Sequence, residues 1–172
     1  MVDFRRITIR PYKNLIIYGT IFYINTNRRT SMNILIIDGH GGGLGAQLVA
    51  TVLKNFPQHN IRAVGTNSTA TVAMIKAGAK EAATGENAVI VGTRTADVII
   101  GPVGIVVADS MLGEVTPKMA AAIGQCPGKR LLIPINQCDT TIVGTANLPV
   151  SKLLQHVVAF LESLQGPGEQ NV

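Results

Sequence analysis

The segment Asn33–Val49, NILIIDGHGGGLGAQLV, joins an apolar run to a helical pattern through five glycines in the seven residues Gly39–Gly45. A run such as Asn33–Ile37 suits a parallel strand covered on both faces. Beyond the glycines, Gly45, Leu48, Val49, Val52, Leu53 and Phe56 fall on one face of a helix predicted over Leu44–Phe56, and Pro57 helps end it. Strand, bare backbone and amphipathic helix in that order form the first half of a βαβ unit.

The alternation continues outward. Asn60–Val64 predicts a second strand, and GTNST at Gly65–Thr69 turns it into a helix over Ala70–Ala77 with Gly78 as its cap. Ala82–Thr84 is a short third strand; Glu86–Val91 fits either element and is assigned to helix. Asp97–Ile100 is a strand ending in GPVG at Gly101–Gly104, and Ile105–Ala108 is ambiguous. Thr116-Pro117 starts a helix that runs to Gly124, with the hydroxyl capping and the proline in the first turn. Arg130–Ile135 gives a fifth strand, and Thr140–Val143 is expected to add an edge strand. In the last helix, Pro149–Leu164, residues Val150, Leu153, Leu154, Val157, Val158 and Leu161 share one face. Such alternation predicts a three-layer α/β sandwich with a mainly parallel, Rossmann-like sheet of five or six strands.

Composition sets the bounds. With 172 residues, 47% apolar and 15% charged, the chain can bury an ordinary core without staples. Its net charge of +5 is confined to residues 1–31, where Arg5, Arg6, Arg10, Lys13, Arg28 and Arg29 face Asp3 alone; the remainder is balanced. No basic–aromatic interleaving of the kind that tracks nucleic acid occurs there, so no nucleic-acid partner is expected. The apolar stretch Asn14–Ile24 is too short to cross a bilayer, and no small-residue cleavage site follows it before Arg28. We expect no membrane partner and a cytoplasmic location, with Cys126 and Cys138 as reduced thiols and no metal site. Residues 1–31 are expected to be a leader, non-native or disordered, ahead of a domain at 32–165 and a flexible tail at 166–172.

In sheets of this class ligands bind beyond the strand C-termini, and here the first strand runs straight into GHGGGLGA. Gly41-x-Gly43-x-x-Ala46 matches the dinucleotide fingerprint G-x-G-x-x-G/A, and Gly39-x-x-x-Gly43-x-Gly45 matches the spacing of short-chain dehydrogenases. Bare N–H groups at the head of the helix, reinforced by its dipole, would face an anion. The binding residues expected are Gly39, His40, Gly41, Gly42, Gly43, Leu44 and Gly45, joined by Gly65, Thr66, Asn67 and Ser68 and by Gly101 and Pro102 in the same crevice. GTNST reads equally well as a second anion nest or as an ordinary N-cap.

The partner expected is a small phosphorylated ligand. A nucleotide or dinucleotide is allowed, but NAD(P) lacks support: Thr66, Asn67 and Ser68 stand where an acidic residue should hold the ribose, and no arginine lies nearby for a 2′-phosphate. No tyrosine follows Tyr23, which excludes the Tyr-x-x-x-Lys chemistry of short-chain dehydrogenases, and Gly45 is followed by Ala46 and Gln47 instead of the Lys-Ser/Thr of a P-loop. His40 could pair with phosphate or move a proton. Asp38 is read as an acceptor for the loop's own N–H groups, with cation binding as the alternative. Asp109, Ser110 and Glu114 form another polar cluster, assigned to an acid-rich helix start. No catalytic residue is assigned.

The blocks MNILIIDGHGGGLG, GTNSTATVAMIKAGA, ADVIIGPVGI, ADSMLGEVTPKMA and LLIPINQC, spread over roughly Met32–Val158, together resemble a family of uncharacterised bacterial domains of unknown function. That resemblance implies a compact intracellular Rossmann-like protein and brings no activity with it. The GTNST turn and the GPVG segment are also similar to methylglyoxal synthase-like domains, which implies an alternative: an enzyme on a small phosphorylated metabolite that uses Asp38, His40 or Asp109. A third alternative is a non-catalytic, ligand-responsive regulatory or assembly domain, for which a homodimer is expected.

Arg28-Arg29-Thr30-Ser31-Met32 can be encoded by AGG-AGG, two codons and ATG, a ribosome-binding site followed by a start codon. We therefore expect synthesis to begin at Met32. N-terminal sequencing of the native protein should find Met32 or Asn33; Met1 or Val2 would refute this.

Overall fold

A computed structural model describes residues 31–135, 141–145 and 148–165, together with two strand segments nearer the start. The chain divides into two compact units, Met1–Thr30 and Ser31–Val172. In the first, β1 (Tyr12–Ile17) and β2 (Thr20–Asn25) pair antiparallel, Tyr12 opposite Asn25 and Ile17 opposite Thr20.

The second unit is built on β3 (Asn33–Asp38), whose four apolar residues Ile34–Ile37 are at most 2% exposed. Because successive strand residues face opposite sides, they divide between two layers. Ile34 and Ile36 pack with Leu48, Val49 and Val52 of α1 (Gly43–Asn55), Met74 of α2 (Ser68–Lys76), and Leu153, Val157 and Leu161 of α5 (Val150–Gln165). Leu35 and Ile37 pack with Val89 of α3 (Glu86–Thr93) and with Met119 and Ile123 of α4 (Pro117–Gln125). A strand with solvent on one side would expose every second residue; this one exposes none, which is why it reads as a continuous apolar run.

Five parallel strands form the sheet. Their order is β5 (Glu81–Thr84), β4 (Asn60–Gly65), β3, β6 (Val98–Pro102) and β7 (Lys129–Ile133). The chain moves from β3 outward through β4 to β5, then crosses back to place β6 on the opposite side of β3. The loops after β3 and β6 therefore diverge, and a crevice opens between them. At this seam the strands approach so closely that a Cβ on Gly101 would stand 2.3 Å from the Ile37 carbonyl oxygen.

The three-layer Rossmann-like sandwich thus has five sheet strands. Glu86–Thr93 is helical, and a 3-10 turn at Val103–Val106 takes in the end of GPVG and the first half of the ambiguous segment Ile105–Ala108. Thr116 caps α4 by accepting from the Met119 N–H at 3.2 Å. The edge strand expected at Thr140–Val143 is corrected in the part that is described: residues 141–145 contain no strand, and Thr140 lies outside the described residues together with Cys138. Val143 is 94% exposed, and Gly144, at φ 85°, turns the chain there. β-Branched composition favours a strand only where a pleated, half-buried surface is available to pack on. Among the described residues, no helix is long and apolar enough to cross a membrane.

His59 ties the end of α5 to the start of β3. Its ring stacks on Phe56, with centroids 5.7 Å apart and planes 5° from parallel. Nδ1 accepts from the Met32 N–H at 3.3 Å, and Nε2 lies 2.9 Å from the Gln165 side-chain amide. Burial lowers the imidazole below its ordinary 6.5. A depressed folded-state pKa contributes stability that is present above the unfolded value and is lost as pH falls through the folded one. Urea unfolding should therefore show stability declining as pH falls through the ordinary 6.5 and below it, and His59→Phe, which keeps the stack, should flatten that decline. An equally steep decline in the variant would assign it to another group.

Candidate functional site

The glycine loop is organised from below by Asp38, the last residue of β3. Its carboxylate is 5% exposed; Oδ1 accepts from the Gly39 N–H at 2.8 Å and Oδ2 from the Gly45 N–H at 2.6 Å. Burial pushes this carboxyl above its ordinary value, and the bonds from Gly45 and Gly39, with the nearby His40, pull against that push. The expected role as acceptor for the loop's own amides is the one observed. Gly42 N–H closes the turn onto the Gly39 carbonyl at 2.9 Å.

The five glycines then separate by physical cause. A Cβ on Gly39 would meet Met111 Sδ and Thr66 Oγ1 at 2.6 Å, and one on Gly45 would meet the Asp38 Cβ at 2.7 Å, the close helix–strand approach expected there. Gly42 sits at φ 70°, and a Cβ on it would lie 2.5 Å from the Ala70 Cα. These three are required by the chain's own packing. Around Gly41 and Gly43 an added Cβ would meet nothing within 4 Å, and neither has a left-handed backbone. Among the described residues, no acceptor takes the N–H groups of Gly41, Gly43 or Leu44. All three residues line a cleft of about 340 Å³ at the switch point.

Glu114 closes one flank. Its Oε2 accepts from the His40 N–H at 2.9 Å, the Thr66 hydroxyl at 2.5 Å and the Asn67 side-chain amide at 2.9 Å. Desolvation raises this carboxyl, but the three donors and His40 outweigh it and hold the group below its ordinary value. The acid-rich helix start expected around Glu114 is thereby corrected. The first turn of α4 holds no acidic residue, and the Glu114 side chain turns to the glycine loop. The connection before α4 is itself unusual: Asp109, Met111, Leu112 and Gly113 all have φ between 56° and 85°. Ser110 anchors it by donating to the Gly104 carbonyl at 2.6 Å.

The expected binding residues fall into two groups. Gly39, His40, Gly41, Gly42, Gly43, Leu44 and Pro102 line the cleft, along with Asp38, Gln47, Gly104, Met111, Ile135 and Val150. Gly45, Gly65, Thr66, Asn67, Ser68 and Gly101 do not. Asn67 is the N-cap of α2, its Oδ1 accepting from the Ala70 N–H at 2.8 Å, and its amide nitrogen also holds the His40 carbonyl at 2.9 Å. A Cβ on Gly65 would meet Thr71 Oγ1 at 2.3 Å, so that glycine serves its own turn. Of the wall residues, Met111 comes from the connection before α4 and Ile135 from the one after β7, where nothing in the local sequence marks them, and Val150 is the first residue of α5. Neither lysine nor arginine is among the lining residues. Among the described residues, no three His, Cys, Asp or Glu side chains converge as a metal site would require.

The fold and the cleft define a Rossmann-like α/β protein with a glycine-rich loop at the point where strand order reverses. Residues 33–165 match the family described as Domain of unknown function (DUF3842), and the chain belongs to that family. The match runs from the first residue of β3 to the last of α5. No curated protein matches the chain.

Substitution distinguishes the two kinds of glycine. Gly42→Ala should cost about 2–5 kcal/mol, from left-handed strain and the clash with Ala70. Gly43→Ala, at the head of a helix with open space above it, should be neutral or stabilising by up to about 1 kcal/mol. Chemical denaturation of both variants measures the contrast, and comparable losses would contradict the assignment.

Proposed function

We propose that this chain binds a small anionic ligand, a nucleotide or another phosphorylated metabolite, with the anion seated on Gly41–Leu44. The observation that carries the reading is the pair Gly41 and Gly43. Among the described residues, nothing requires either to lack a side chain, and we read the absent Cβ atoms as room for a group that approaches from outside. The N–H groups of Gly41, Gly43 and Leu44 supply donors, and the head of α1 adds roughly half a positive charge. Leu44, Pro102, Met111, Ile135 and Val150 add an apolar part of the wall that suits the body of such a ligand. The function is binding, and no reaction is attached to it. A cytoplasmic location, in which Cys126 stays reduced, is part of the same proposal.

Thermal unfolding of the full chain against nucleotides, dinucleotides, coenzyme A and sugar phosphates tests this. A ligand at a hundred times its Kd stabilises by about 2.7 kcal/mol, which raises the midpoint by several degrees. Gly43→Leu should unfold at nearly the same temperature as the parent and lose that shift. Unchanged affinity in Gly43→Leu would remove the proposal.

A further inference from the structure

We propose that the cleft selects anions of low charge, a single phosphate or carboxylate head in preference to a polyphosphate chain, and that Glu114 sets this selectivity. The inference rests on the anion-binding reading above and adds to it the class of ligand.

Three observations carry it. The His40 N–H, the backbone donor next to the open Gly41, is already bonded to Glu114 Oε2. That carboxylate is fixed, because Thr66 and Asn67 donate to the same oxygen, so it cannot swing aside without leaving those donors unmatched. It also sits against the loop itself: a Cβ on Gly39 would lie 2.8 Å from Oε2. A second carboxylate, Asp38, lies under the loop, and among the described residues no lysine or arginine on the cleft wall offsets either.

The charge balance follows. One anionic head gains the free N–H groups and the end of α1, worth about half a charge. Each further charge on the ligand is beyond hydrogen-bonding reach of those amides, yet still feels the negative charge of Glu114 at the side of the loop. A magnesium ion, the usual remedy, finds one carboxylate oxygen of this pair without a donor among the described residues, Glu114 Oε1. Both Asp38 oxygens are taken by Gly39 and Gly45, and Glu114 Oε2 by three donors. Nucleoside triphosphates are thereby disfavoured against monophosphates, or against dinucleotides with one charge per phosphorus.

Inorganic phosphate, pyrophosphate and tripolyphosphate, titrated into the isotope-labelled full chain while the Gly41, Gly43 and Leu44 amides are followed by NMR, isolate the head group. Phosphate should bind best and tripolyphosphate about tenfold more weakly. Glu114→Gln keeps an oxygen for the three donors and removes the charge; it should tighten tripolyphosphate about tenfold and narrow the order. Gln47→Lys, on the exposed rim of α1, is a second variant that leaves the clasp intact and should favour tripolyphosphate by supplying the missing cation. Affinity that rises with anion charge in the parent protein would overturn the selectivity while leaving anion binding in place. An order unchanged in Glu114→Gln would remove the role of Glu114, and one unchanged in Gln47→Lys would remove the missing cation as its cause. Silence of all three amides with every anion would defeat the anion site itself.

Discussion

The buried carboxylate of Asp38 holds the last turn of β3 to the first turn of α1. By taking the Gly39 and Gly45 N–H groups it uses the donors at the two ends of the loop, and the segment between them has to bulge outward. Gly41, Gly43 and Leu44 consequently present their amides to the crevice. Without that bridge, Gly45 would have an unmatched buried donor, and the close approach of helix to strand would lose its reason. The interaction holds a charge in a place that disfavours charge, which is why burial and hydrogen bonding pull its titration in opposite directions.

Glu114 does for the side of the loop what Asp38 does for its base. Its single oxygen joins three segments distant in the chain: the glycine loop, the turn after β4 and the connection before α4. The left-handed residues Asp109, Met111 and Leu112 put that connection over the cleft, where Met111 forms part of the wall. Backbone conformations of this kind persist only where the surroundings over-determine them. Ser110, bonded to Gly104, and Glu114, bonded to three donors, are the restraints that do so. Both carboxylates lie at the loop whose Gly41, Gly43 and Leu44 amides stand uncovered, Asp38 at its base and Glu114 at its side.

Much of this was legible in the order of residues. The apolar run Ile34–Ile37 revealed a strand covered on both sides, because burial on two faces removes the alternation that a half-exposed strand shows. Helical spacing in α1 and α5 named the faces that are buried, and Thr116-Pro117 marked the start of α4 through local capping chemistry. The glycine loop between the first strand and helix located the cleft. Thr140–Val143 misled, since β-branched side chains report a preference that only a neighbouring strand can satisfy.

What the sequence by itself determined is the set of elements and the place where backbone amides stand uncovered, since helix periodicity, caps and glycine runs act over a few residues. Only the tertiary structure decided which glycines answer to packing and which to open space, because a Cβ clash depends on atoms such as those of Ala70 and Met111, far away in the chain. It also decided that Glu114 faces His40 across 74 positions. It placed Thr66 and Asn67 as supports behind the loop, outside the wall of the cleft. A hydrogen bond between distant segments leaves no spacing in the sequence, and it exists only once the sheet has set β3, β4 and β6 side by side.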